Sequence, residues 1–226
     1  MNKKKKKQDI SAYNLGKLGL ELIVVFLGVT AGFLLNNWRT REQEEQLEQN
    51  YINGFLQDVN GDFTDLKNEI KRDSIWMVHA GPFIIDLKNG GIKADLADTV
   101  INTINSVSKW DANTVTYEDI TNSGHLNLIH DFQLKSMIVD YHNEIRSEGF
   151  LADHFYNYYL NMVVPFIYSE YNILKAKLKQ TDALKSDRFS NIFLGYYVNV
   201  ILRKKKDIEI LAKAELLKNK LESCSK

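Results

Sequence analysis

Tyr117, Glu118 and His125 bring a phenol, a carboxylate and an imidazole into one short stretch of the chain. Such a set suits a ligand or partner site, where a ring and two polar groups fix the pose of a bound molecule. Their neighbours read as structure. Thr116 followed by Asp119 has the spacing of a capping box, with the acid favourable near a helix N-terminus. Gly124 fits the left-handed position that closes a short helix, and Asp131 can cap the next one. Leu126, Leu128 and Ile129 between them are expected to anchor the connector in the core.

Catalytic signatures are missing. Ser123-Gly124-His125 lacks the G-x-S-x-G elbow that exposes a nucleophile on a strained turn. His79, His125, His130, His142 and His154 form neither H-E-x-x-H nor the Glu-x-x-His pair of di-iron bundles. The intervals of twelve between His130, His142 and His154 give no reason for the three to converge. Neither a phosphate-binding Walker loop nor a dinucleotide glycine fingerprint occurs. Cys224 is the single cysteine, so there is no cysteine pair at metal-ligand spacing and no internal disulfide. The sequence therefore points to no catalytic residue, no metal and no cofactor.

The elements that would hold such a site begin with a membrane anchor. Leu15 to Leu35 spans roughly 31 Å as a helix, and Leu22 to Leu35 carries no charge. The organisation expected is a basic cytoplasmic tail over 1–14, a transmembrane helix over 15–37 and a soluble helical domain over 38–226. Tyr13 and Trp38 sit where interfacial aromatics would, and Lys17 and Glu21, four apart, can pair or reach the headgroups. Lys3 to Lys7 and Lys17 precede the span while Arg39 and Arg41 follow it, which keeps the N-terminus cytoplasmic. The domain then lies outside the inner membrane, in the periplasm of a double-membraned bacterium. A chain with one cysteine tolerates an oxidising compartment. Two alternatives compete: the core helix of a soluble protein, and a signal peptide cleaved after Val29-Thr30-Ala31. The apolar run continues through Phe33, Leu34 and Leu35, past the length of a usual signal core. Gly28 and Gly32 form G-x-x-x-G, a face on which two spans could approach closely as a homodimer.

Beyond the span the pattern is all-α. The apolar and aromatic content, 44% and 11%, is ample for a packed core. Lys+Arg and Asp+Glu both number 29, so there is no basic surplus to suggest nucleic acid as a partner. Leu47, Tyr51, Phe55, Val59, Phe63, Leu66 and Ile70 recur every three or four residues. Their mean step is nearer 3.8 than 3.5, which argues against a sustained heptad. This helix is expected to run to about Ala80, where Gly81-Pro82 interrupts it, with a short helix following as far as Asn89-Gly90-Gly91. Leu96, Val100, Ile104 and Val107 mark another helix, and Trp110 to Asn113 a loop. Phe132 to Tyr141 begins a further helix, Phe150 to Leu178 a long aromatic one bent or split at Pro165, and Phe189 to Leu221 the last. The aromatics read as bundle core, with a pocket wall as the rival, and no sheet is expected. Arg203 to Lys206 reads as a solvated basic face, with anionic lipid headgroups as the alternative contact.

Two segments resemble a family of small bacterial single-span membrane proteins. One is Glu21-Leu-Ile-Val-Val-Phe-Leu-Gly28, running on to Gly32 and the exit Asn36-Asn37-Trp38. The other is Thr116-Tyr-Glu-Asp-Ile120 with Ser123-Gly124, Leu126 and Leu128-Ile129. Tyr51, Leu56, Asp58, Asp62 and Leu66 fit the helix that follows the span in such proteins. Leu34 and Gly32 depart from the pattern, where a polar residue and alanine are usual. The resemblance implies an anchored topology and brings no activity with it.

The expected function is accordingly a tethered binding or protein-interaction module of the bacterial cell envelope, with an envelope protein and the lipid bilayer as partners. A sensory or ligand-binding domain is the alternative, and it would signal through a partner because residues 1–14 cannot hold an effector domain. An enzyme of unrecognised type is the third reading.

Overall fold

The computed structural model describes residues 12–90, 94–104 and 110–225. The chain divides into two units, Met1–Gln49 and Asn50–Lys226. The fold is all-α. Six α-helices are described: α1 Ala12–Asn89, α2 Ala94–Ile104, α3 Val115–Asn122, α4 Phe132–Tyr158, α5 Val164–Glu170 and α6 Asp187–Cys224. A two-residue ladder, β1 Tyr171–Asn172 with β2 Lys177–Leu178, follows α5, a minor correction to the absence of any sheet.

The first unit is the beginning of α1. It is long and apolar enough to cross a membrane, with a window of mean hydropathy 2.3 of which no residue is buried. A soluble core helix would need that window covered. Lys17, Glu21 and Trp38 are exposed, and a Cβ added at Gly28 or Gly32 meets nothing within 4 Å. The Tyr13 side chain and the lysines of the basic tail lie outside the described part of the structure.

In the second unit α1, α4 and α6 make a three-helix bundle. Asp62 and Phe55 of α1 meet Tyr141 and His142 of α4, while Asp73, Trp76 and Phe83 meet Arg203, Tyr196 and Phe193 of α6. Asp131 at the start and Tyr158 at the end of α4 meet Lys220 and Ile192 of α6, while Asp73 and then Phe83 of α1 meet Arg203 and then Phe193, so α6 runs against both and α4 runs in the direction of α1. The buried stripe of α1 is Ile52, Phe55, Val59, Asp62, Leu66, Glu69, Asp73, Trp76, Ala80 and Phe83. Its steps alternate between three and four residues, which is a heptad seam. The wider spacing read from the apolar residues alone is thereby corrected: the seam holds Ile52, Asp62 and Glu69 where that spacing took their apolar neighbours Tyr51, Phe63 and Ile70.

Gly81-Pro82 does not end α1, which runs to Asn89. The proline removes the bond to the Val78 carbonyl, but Val78 is 71% exposed and water can take that carbonyl. Phe83, fully buried between Phe189 and Phe193, holds the next turn in place. Gly90, at φ +71, then stops the helix as expected. The helix marked by Leu96, Val100 and Ile104 is α2, and Val107 lies outside the described residues. The aromatic stretch is not one helix from Phe150 to Leu178. Its first residues belong to α4; a π-helical turn over Tyr159–Val163 precedes Pro165, and the chain leaves the helix at Glu170. A wide turn just ahead of a residue without an N–H is where the regular ladder must break. Phe155, Phe166 and Tyr171 are buried as core residues, whereas Phe150 and Tyr168 are exposed.

Candidate functional site

α1 presents Gly54, Asp58, Gly61 and Asp62 on one face, and the N-terminus of α3 docks there. A Cβ at Gly54 would lie 2.9 Å from Thr116 Oγ1, and one at Gly61 2.9 Å from Asn113 Nδ2, so both positions need glycine for close approach. Asp62 is fully buried and accepts three hydrogen bonds: Asn113 N at 2.8 Å, Asn113 Nδ2 at 2.9 Å and the Tyr141 hydroxyl at 2.8 Å. Thr116 N donates to Asp58 Oδ2 at 3.2 Å. Asp58 thus satisfies an N–H in the first turn of α3 that has no partner within the helix, and Asp62 holds Asn113, the residue before the N-cap. Burial raises the Asp62 pKa despite these bonds, and burial also raises that of Tyr141.

This geometry corrects the capping box. The N-cap of α3 is Thr114, and Thr116 and Asp119 lie inside the helix. The start of the helix is fixed by carboxylates from α1 instead. Gly124, at φ +74, does close the short helix, and Asp131 does cap α4, accepting from Leu134 N at 3.0 Å. Ile129 is buried as an anchor, with Leu126 and Leu128 half-buried.

The three residues singled out for chemistry take up separate contacts. Tyr117 stacks on the His142 ring, centroids 3.9 Å apart and planes 10° from parallel. His142 Nδ1 lies 2.8 Å from the Ile138 carbonyl, which only accepts, so Nδ1 carries the proton. Burial lowers the His142 pKa and keeps the ring neutral. His125 Nδ1 is 2.9 Å from the Tyr51 hydroxyl, which also lies 3.3 Å from Ser123 Oγ. Glu118 is exposed and accepts from Thr114 Oγ1 at 2.7 Å.

A second polar layer sits deeper in the bundle and was not anticipated from the sequence. Arg203 is buried, donating to Asp73 from Nε at 3.2 Å and Nη2 at 2.5 Å and lying 3.1 Å from Glu69 Oε1. Its guanidinium stands 4.4 Å from the centre of the Phe155 ring. Arg203 therefore does not belong to a solvated basic face, and Lys206 pairs with Glu144. Four consecutive residues on a helix point around most of its circumference, so such a run cannot share one face. Asp207 is 1% exposed, and neither carboxyl oxygen has a hydrogen-bond partner among the described residues. Burial, followed by the charge of Glu148 on α4, pushes its carboxyl up to about 7 against the pull of Arg203. Burial likewise raises Asp73 in spite of its bonds to Arg203. The signal for this layer was acids standing at core steps of a helix. Among the described residues no group of three or more His, Cys, Asp or Glu side chains is placed to hold a metal ion.

The outer face of α6 carries a further pattern. Leu194, Val198, Ile201, Ile208 and Leu216 are exposed large apolar residues on the side opposite the seam, with exposed Lys205 and Ala212 in the same row. Their steps of three and four repeat those of the inner face. Beside them a shallow depression of about 350 Å³ is lined by Met77, Ile201, Lys204, Lys205, Ile208 and Glu209. No known protein family, curated protein or solved structure matches this chain.

Proposed function

We propose that the chain is a membrane-tethered protein-interaction module of the bacterial cell envelope, anchored by residues 15–37 with its domain outside the cytoplasm. The observation that carries this reading is the outer stripe of α6. A helix apolar on two opposite faces has one face too many for its own core, and a row at heptad steps suits another helix. The partner we propose is an amphipathic helix of an envelope protein, laid along Leu194 to Leu216. The test places a photo-crosslinking residue at Ile201, Ile208 and the exposed α4 position Gln133 in the full-length protein in its host membrane. One heterologous adduct at Ile201 and Ile208, but not at Gln133, is expected. Equal adducts at all three positions, or none, overturn the reading, and an adduct between two copies replaces the envelope partner with self-association.

Asp207 favours a second reading, a sensory domain responding to pH through a partner. It is faced by Glu148 from α4, Asp73 from α1 and Arg203 from its own helix, and its carboxyl changes charge near neutrality.

A further inference from the structure

The hairpin between α5 and α6 has a fixed root and an unsupported tip. At the root, Tyr171 donates its hydroxyl proton to Asn102 Oδ1 at 2.7 Å, and Leu178 N donates to Asp98 Oδ1 at 2.9 Å, so α2 holds both strands. The tip turns through Ala176 at φ +50, with Asn172 Oδ1 accepting from Lys175 N at 3.0 Å. Leu174 is 99% exposed and Ile173 53% exposed. Lys175, Lys177 and Lys179 follow at alternate positions, all exposed, and the stretch from Tyr171 to Gln180 holds no acid. Lys179 is used locally, donating to the Tyr168 and Ser169 carbonyls, and the exposed Tyr168 ring lies in the last turn of α5.

We infer that this hairpin is a lipid-docking wedge: Ile173 and Leu174 enter the acyl boundary of an anionic membrane while Lys175 and Lys177 sit among its headgroups. Two aliphatic side chains are far too small a patch for a specific protein interface, which buries about 800 Å² on each partner. They suit a bilayer, where buried methylenes and juxtamembrane lysines each add to attachment at an anionic surface and the two signals act together. Lysine is depleted in protein interfaces but suits a headgroup layer, into which its flexible stem can extend. The net positive charge of the tip selects anionic over zwitterionic lipid. This inference is independent of the stripe on α6.

The test uses full-length protein with Cys224→Ser and Leu174→Cys, carrying an environment-sensitive fluorophore at position 174. It is reconstituted in vesicles of phosphatidylcholine, or of equal parts phosphatidylcholine and phosphatidylglycerol, with and without added protein-free vesicles of the same lipid. The expected result is a blue-shifted emission, quenched by spin-labelled lipid, in the anionic vesicles only and reversed by Lys175→Glu with Lys177→Glu. A shift that needs the added vesicles also supports docking and places the tip toward a second bilayer. Water-like emission in every mixture overturns the inference. So does a shift that persists in detergent or follows protein density at fixed lipid, which would mean that protein covers the tip.

Discussion

The phenol of Tyr158 lies directly on Gly195: a Cβ there would be 2.2 Å from Tyr158 Oη and 2.7 Å from Cζ. The hydroxyl donates to the Ile192 carbonyl at 2.9 Å, so the end of α4 is pinned to α6 at the turn where α4 gives way to the π-helical segment. Gly195→Ala should force the ring out and destabilise the domain by about 1–3 kcal/mol. Tyr158→Leu alone should cost about 1 kcal/mol through the lost hydrogen bond. The double variant should lose less than the sum of the two in chemical denaturation. Strict additivity would mean that the contact carries no energy.

Asp62 collects three donors in a buried position, so Asp62→Ala orphans Asn113 N, Asn113 Nδ2 and the Tyr141 hydroxyl together. A loss of roughly 3–5 kcal/mol is expected, against about 1 kcal/mol for Tyr141→Phe, which removes one donor and leaves the carboxylate bonded. Hydrogen exchange in α3 should accelerate in Asp62→Ala. Unchanged protection there would show that α3 is held by packing alone.

How much of this was legible follows from particular residues. Phe55, Val59 and Leu66 on α1 and Phe193 and Val200 on α6 sit on the faces that apolar spacing assigned to the core. Gly90, Gly124 and Asp131 act where their backbone and capping chemistry placed them. Asp62, Glu69, Asp73, Arg203 and Asp207 were not legible, because a hydropathy pattern treats a charge at a core step as a gap. Their burial depends on partners from distant parts of the chain, which local spacing does not encode. Pro82 and the hairpin at Tyr171 failed for a related reason: exposure of Val78 and anchoring by Asp98 and Asn102 decided those boundaries.

Asp207 should make stability fall as pH rises. Its folded-state pKa of about 7 exceeds the ordinary 3.8, so the folded state holds the proton more tightly than the unfolded chain. The contribution is full below the unfolded value and is lost as pH rises through about 7. Asp207→Asn should melt at higher temperature than the parent at pH 8, and the gap should close toward pH 4, at about 1.4 kcal/mol per unit of pKa shift. Asp62 and Asp73, also raised by burial, add slopes of the same sign, so the measurement is the difference between variant and parent. A gap independent of pH would assign the effect to packing.

If residues 15–37 form the anchor, the full chain should stay with membranes through a high-salt wash, because its attachment is apolar. A periplasm-active reporter fused after Lys226 should be active and a cytoplasmic one silent, and the reverse would falsify the orientation. Gly28→Ile with Gly32→Ile should weaken self-association in a membrane dimerisation assay, and an unchanged signal removes the glycine face from consideration.

The segment from Tyr117 to His125 separates structural from functional roles most sharply. Gly124 stands at φ +74, where a β-branched side chain is strained even in open space, so Gly124→Val should cost about 1–3 kcal/mol. His125→Ala removes the contact to Tyr51 and should cost about 1 kcal/mol. Glu118→Gln keeps an acceptor for Thr114 at an exposed position and should cost within about 0.5 kcal/mol. Tyr117→Leu loses the stack on His142 and should cost about 1–2 kcal/mol, with the His142 resonance in NMR spectra moving as the ring current disappears. Melting of each variant, set beside complementation of a deletion strain, decides the matter. If the segment is structural, loss of function follows loss of stability in the order Gly124, Tyr117, His125, Glu118. A Glu118→Gln or His125→Ala variant that melts like the parent yet fails to complement would place a binding site at these residues.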